Sequence, residues 1–132
     1  MLQNYNKEIY LKVIDYKRSI GVTQWAVFSI FSGISSAVLA LSYQKSINES
    51  TLTIRILGLI CYWLGYFLYN RYRNLNKNVA SYLRELEKDI KNGFQTYLDK
   101  NFHKHGIHTG NMLFMVGILY MALVVFDYIA NN

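Results

Sequence analysis

Two ionisable residues stand inside runs that are otherwise free of charge. Arg55 lies within Thr51 to Asn70, and Asp127 lies within Met112 to Ala130. An ionised group at the centre of a bilayer costs about 2.5–3.5 kcal/mol on insertion scales, so such a residue is a functional candidate by default. Arg55 comes four residues after Thr51 and Asp127 three before Ala130. If the two runs are antiparallel helices, a rise of 1.5 Å per residue places both charges about 4–6 Å below the same surface. They can pair with each other, reach the headgroups, or stand at the mouth of a pore. An intramembrane charge pair is the expectation.

The remaining chemistry-bearing residues are sparse. His103, His105 and His108 cluster between Asn101 and Gly110. Imidazole is a common metal ligand, but closed zinc sites take four ligands, usually with Cys or carboxylate among them. No such set accompanies these histidines, so no metal and no cofactor is expected, and they read as a polar interfacial loop. Cys61 has no second cysteine to pair with, which excludes a disulfide scaffold. There is no glycine-rich phosphate loop, no recognisable Ser, His and Asp set, and no acidic metal cluster. A non-enzyme is expected.

Small residues form a third pattern. Ser29, Gly33 and Ala37 fall four apart, and Ser32, Ser36 and Ala40 repeat the spacing on a neighbouring stripe. Small residues at this spacing let helix backbones approach closely in lipid. The same serines could line a narrow wet path; helix packing is the first expectation and a pore face the second. Gly58 and Gly65 recur seven apart. Tyr62, Trp63, Tyr66, Phe67 and Tyr69 follow near the end of that run, where an aromatic belt meets the headgroups.

The elements that must position these residues are long apolar helices. The chain has 132 residues, the size of one domain. Hydrophobic residues make up 52% and charged residues 17%, which excludes a disordered chain. The 26 residues between Arg18 and Lys45 carry no charge, and about 20 apolar residues suffice to cross a bilayer. The spacing predicts an all-α integral membrane protein forming a single membrane domain over 1–132, with transmembrane helices at 19–43, 51–70 and 112–130. A soluble bundle would need a polar stripe on each helix, and none is evident. A signal peptide would have an apolar region of only about 7–15 residues.

Charge sets the expected orientation. Of 14 Lys and Arg, four precede the first run and eight lie between the second and third. The positive-inside rule then puts the N-terminus and the central segment in the cytoplasm of a cell or inner membrane, with the C-terminus outside. The whole net charge of +6 falls on the inner side, against an anionic leaflet. Arg71, Arg73 and Lys77 follow the second run and are expected to contact lipid headgroups. Topology therefore accounts for the basic character, and no nucleic-acid partner is expected.

Two amphipathic segments complete the outline. Leu2, Tyr5, Ile9, Val13, Tyr16 and Ile20 recur three or four apart, which predicts a cytoplasmic helix over 1–18 that can run on into the first span. Leu75, Val79, Leu83, Leu86, Ile90, Phe94, Leu98 and Phe102 do the same within the cytoplasmic segment 71–110. Leu83, Leu86 and Ile90 form the centre of its apolar face. Glu87 and Lys91 stand four apart as a helical ion pair, and Gly93 is the weak point.

An amphipathic N-terminal helix followed by three spans resembles, in outline, the small bacterial diacylglycerol kinases. Their chemistry rests on glutamates at the cytoplasmic ends of the helices, and these spans contain none. The outline is also similar to small pore-forming effectors of bacterial defence and to small polytopic immunity proteins. The expected function is a homo-oligomeric membrane effector or channel-like protein. The alternative is a membrane adaptor, chaperone or immunity protein that binds another membrane protein.

Overall fold

The computed structural model describes residues 2–43, 49–88, 93–102 and 109–130. Four helices follow in order: α1 (Leu2–Tyr43), α2 (Glu49–Leu86), α3 (Phe94–Phe102) and α4 (Thr109–Ala130). No strand occurs among the described residues. The chain contains no proline, so nothing removes a backbone donor within these helices. Gly21 and Gly33 interrupt α1 in sequence, and the helix runs through both. The N-terminal amphipathic segment and the first apolar run are thus one helix of 42 residues. Three helices, α1, α2 and α4, are long and apolar enough to cross a membrane.

The contacts divide the chain into two compact units. One comprises 1–24 and 71–106, the other 25–70 and 107–132. We call them the charged unit and the apolar unit.

The apolar unit buries polar and small residues beside an aromatic cluster and leaves many of its large aliphatic residues outside. Ser35, Ser42, Thr51 and Arg55 are buried, whereas Ile30, Leu57, Leu64, Met115, Leu119 and Phe126 are exposed. Only 17% of the apolar stretch of α4 is buried, so its apolarity far exceeds what this chain covers. A soluble core has the reverse pattern. The buried positions of α2 in this unit, Thr51, Arg55, Gly58, Tyr62, Gly65 and Tyr69, alternate spacings of four and three. That is the seam of a helix packed against neighbours at a shallow angle. Gly58 and Gly65 are needed at that seam. A Cβ at Gly65 would lie 2.5 Å from the Phe31 Cβ, and one at Gly58 2.6 Å from the Tyr120 hydroxyl oxygen. On α4, a Cβ at Gly117 would lie 2.9 Å from Tyr62.

Aromatic rings fill the rest of this seam. Phe28, Tyr62, Tyr69, Tyr120 and Val124 form the buried cluster. Ring pairs such as Phe28–Tyr62 at 5.9 Å and Tyr62–Tyr120 at 6.1 Å meet edge to face, the arrangement aromatic quadrupoles favour. The sequence places Tyr62 and Tyr69 in a headgroup belt; they are instead buried, while Phe67 stays exposed.

In the charged unit, the expected single amphipathic helix through 75–102 is two helices. α2 ends at Leu86 and α3 begins at Phe94. The physical reason lies in Glu87, whose carboxylate caps the start of α3 instead of pairing along a continuing helix. Leu83 is fully buried, Leu86 half-buried, and Ile90 and Lys91 lie outside the described residues.

Candidate functional site

The ends of three helices bring the strongest cluster together. Ser42 and Tyr43 end α1, Arg55 stands near the start of α2, and Asp127 near the end of α4. Arg55 is 2% exposed. Its Nη1 donates to the Asp127 Oδ2 at 3.2 Å, and its Nε to the Ser42 Oγ at 3.2 Å. The guanidinium carbon sits 4.1 Å from the centre of the Tyr43 ring, and the Tyr43 hydroxyl donates to the same carboxylate oxygen of Asp127. A cation over an aromatic face contributes about 2 kcal/mol when desolvated. The two residues picked out by sequence are therefore brought together within one chain, with Ser42 and Tyr43 as partners that sequence reasoning missed. Arginine does not deprotonate in proteins, so Arg55 is a fixed charge, and its partners on α1 and α4 tie three helix ends together.

The small-residue face of α1 has a different fate. Ser29, Gly33, Ser36, Ala37 and Ala40 are exposed, and Ser32 is half-exposed. The Ser32 hydroxyl folds back on the Ser29 carbonyl at 3.3 Å. A Cβ at Gly33 would meet no atom within 4 Å, in contrast to Gly58 and Gly65. The serines of α1 that pack inside are Ser42 and Ser35, the latter donating to the Gly58 carbonyl at 2.8 Å. Their signal was present in the seven-residue interval from Ser35 to Ser42, matching the interval from Gly58 to Gly65.

The charged unit is organised around Glu87. Its Oε1 accepts from the Tyr10 hydroxyl at 2.9 Å and the Gln95 amide at 2.8 Å. Its Oε2 accepts from the amide and the hydroxyl of Thr96, both at 2.8 Å. The Phe94 amide is taken by the Tyr10 hydroxyl at 2.9 Å. Three orphan donors at the start of α3 are thereby satisfied. Burial pushes the Glu87 carboxyl up, but hydrogen bonds from Gln95, Thr96 and Tyr10 outweigh it and hold the group below the ordinary carboxylate value. A Cβ at Gly93 would lie 2.2 Å from the Glu87 carboxyl carbon, so this position accepts only glycine while the cap is in place. Around it, Arg84 pairs with Asp99 at 2.6 Å, Gln95 donates to Asp99 at 2.7 Å, and Lys17 donates to Gln95.

Of the remaining candidates, Arg71 and Lys77 are exposed and Arg73 is half-buried. His103, His105 and His108 lie outside the described residues. Among the described residues no three metal-ligating side chains gather. Comparison with family models, with curated proteins and with solved structures finds no match to this chain.

Proposed function

We propose that this is a multi-pass membrane protein that works as an assembly of its own copies, an effector of channel-like build joined through α1. The observation that carries the reading is the outward face of Ser29, Gly33, Ser36, Ala37 and Ala40. Lipid tails gain little from small residues, whereas a second helix gains close approach. In this reading the N-terminus and the charged unit are cytoplasmic and the C-terminus is outside, following the skew of Lys and Arg. Arg71, Arg73 and Lys77 meet the anionic leaflet.

The test is oligomeric state. The protein in nanodiscs should run as a defined oligomer, and Gly33→Leu should dissociate it while leaving the helical content intact. A wild-type monomer would sink the reading. A reporter fused after Asn132 should be active only if it folds outside the cytoplasm.

One observation favours a second reading, an adaptor, chaperone or immunity protein that lays the same face on a different membrane protein. Arg55 and Asp127 already pair within the chain, so hydroxyls would have to line any conducting path. Induced expression separates the two: a pore depolarises the host and slows growth, and an adaptor does neither.

A further inference from the structure

The charged unit contains a cleft of about 500 Å³ that none of the roles above uses. That volume lies within the range of small-ligand sites, roughly 300–1,000 Å³. Its walls are Ile14, Asp15, Lys17 and Arg18 of α1, Asn76 of α2 and Phe94 of α3. We propose that this cleft binds the phosphate and hydroxyl groups of a glycerophosphate headgroup.

Three observations carry the proposal. First, the Asn76 Oδ1 is enclosed and has no hydrogen-bond partner. A buried carboxamide oxygen left unmatched costs about 1–3 kcal/mol; Asn76 lines the cleft, and a turn of its side chain toward a ligand hydroxyl would remove that cost. Second, two cations line the cleft against one acid. Lys17 is anchored by Gln95 and by the Phe94 ring, 5.7 Å away, which holds its ammonium in place and leaves further donors for an anion. Arg18 is exposed and takes part in no ion pair among the described residues. A guanidinium and an ammonium lining one cleft suit a phosphate diester. Asp15 can accept from a second ligand hydroxyl, which a bare phosphate diester lacks and a glycerol headgroup supplies. Third, Arg18 directly precedes the 26 uncharged residues of the first run. If that run spans, the cleft opens at headgroup level, and Ile14 and Phe94 give its walls an apolar part for the start of an acyl chain.

The same chemistry is presented by a phospholipid and by free glycerol phosphate. Native mass spectrometry of the full chain in detergent distinguishes them. Dihexanoyl phosphatidylglycerol should be retained about tenfold more than the phosphatidylcholine, the worth of one charge-assisted hydrogen bond. Phosphatidylethanol keeps the net negative charge of the diester, which choline cancels in phosphatidylcholine, but lacks the hydroxyls, so it should fall between them. Asn76→Leu should erase the gap between phosphatidylglycerol and phosphatidylethanol. Arg18→Gln should weaken both, whereas Lys12→Gln, a change of equal charge on α1 outside the cleft, should leave both unchanged. Competition by glycerol 3-phosphate at equal concentration would assign a soluble ligand, and its absence a lipid one. Equal retention of phosphatidylglycerol and phosphatidylcholine would overturn the proposal. So would Arg18→Gln behaving like Lys12→Gln, since that substitution is exposed and does not threaten the fold.

Discussion

Glu87 and Arg55 are both ionisable and almost fully buried, at 3% and 2% exposure, yet they are satisfied by different means. Glu87 takes two bonds from backbone amides at the start of one short helix and two from the hydroxyls of Tyr10 and Thr96. Arg55 has side-chain partners from the far ends of two other helices, Ser42 and Tyr43 of α1 and Asp127 of α4. The first arrangement makes a helix begin where α2 has stopped. The second pins three long helices whose own backbones are already satisfied internally. A buried charge can thus define where a helix starts or a helix register, and which it does depends on whether its partners include the main-chain donors of a helix start.

The largest effect should come from leaving Arg55 without its acid. Breaking a buried pair by removing one partner costs about 3–5 kcal/mol. Asp127→Ala should therefore lower the unfolding free energy of the apolar unit by about 3 kcal/mol, measured by denaturation in mixed micelles. Arg55→Ala combined with Asp127→Ala should lose less than the two separate losses added. Simple additivity would break the pinning account.

Glycine seams come next. Gly65→Val drives a side chain into Phe31, and overpacking of this kind costs about 1–3 kcal/mol. Gly33→Ala meets open space in a single chain and should leave denaturation of the monomer unchanged. Equal losses at the two positions would mean that α1 and α2 do not pack as described.

A smaller loss is expected in the charged unit. Gly93→Ala would displace the Glu87 carboxylate and uncap α3, and losing a cap costs about 0.5–2 kcal/mol. Hydrogen exchange at the amides of Gln95 and Thr96 should speed up in this variant, while exchange in the apolar unit stays as it was.

The smallest effect is a pH dependence with a fixed sign. Because the Glu87 carboxyl is held below its ordinary value by its hydrogen bonds, despite burial, its contribution is complete above the unfolded carboxylate range. It is lost as pH falls through the lower folded value. Protection of the Gln95 and Thr96 amides should be constant from neutral pH down to the ordinary carboxylate range and fall only as pH drops below it. Glu87→Gln should flatten that profile.

The sequence by itself determined the number of long apolar helices, because uncharged runs of this length have few alternatives, but not their extent, since α1 begins at Leu2 and α2 runs on to Leu86; it also singled out Arg55 and Asp127 because charges there are conspicuous. The glycine interval on α2 was equally legible. It could not say which residues face inward. In the apolar unit the seam is built from Ser35, Ser42, Thr51, Gly58, Tyr62 and Gly65, none of them an aliphatic residue that hydrophobic periodicity would select. The break before α3 was also hidden. The apolar spacing through Leu83, Leu86, Ile90 and Phe94 reads as one helix, because period records only what a continuous helix would bury. Only tertiary structure brings the hydroxyl of Tyr10 and the amides of Gln95 and Thr96 to Glu87. Those contacts, remote in sequence, outweigh the local preference to continue the helix.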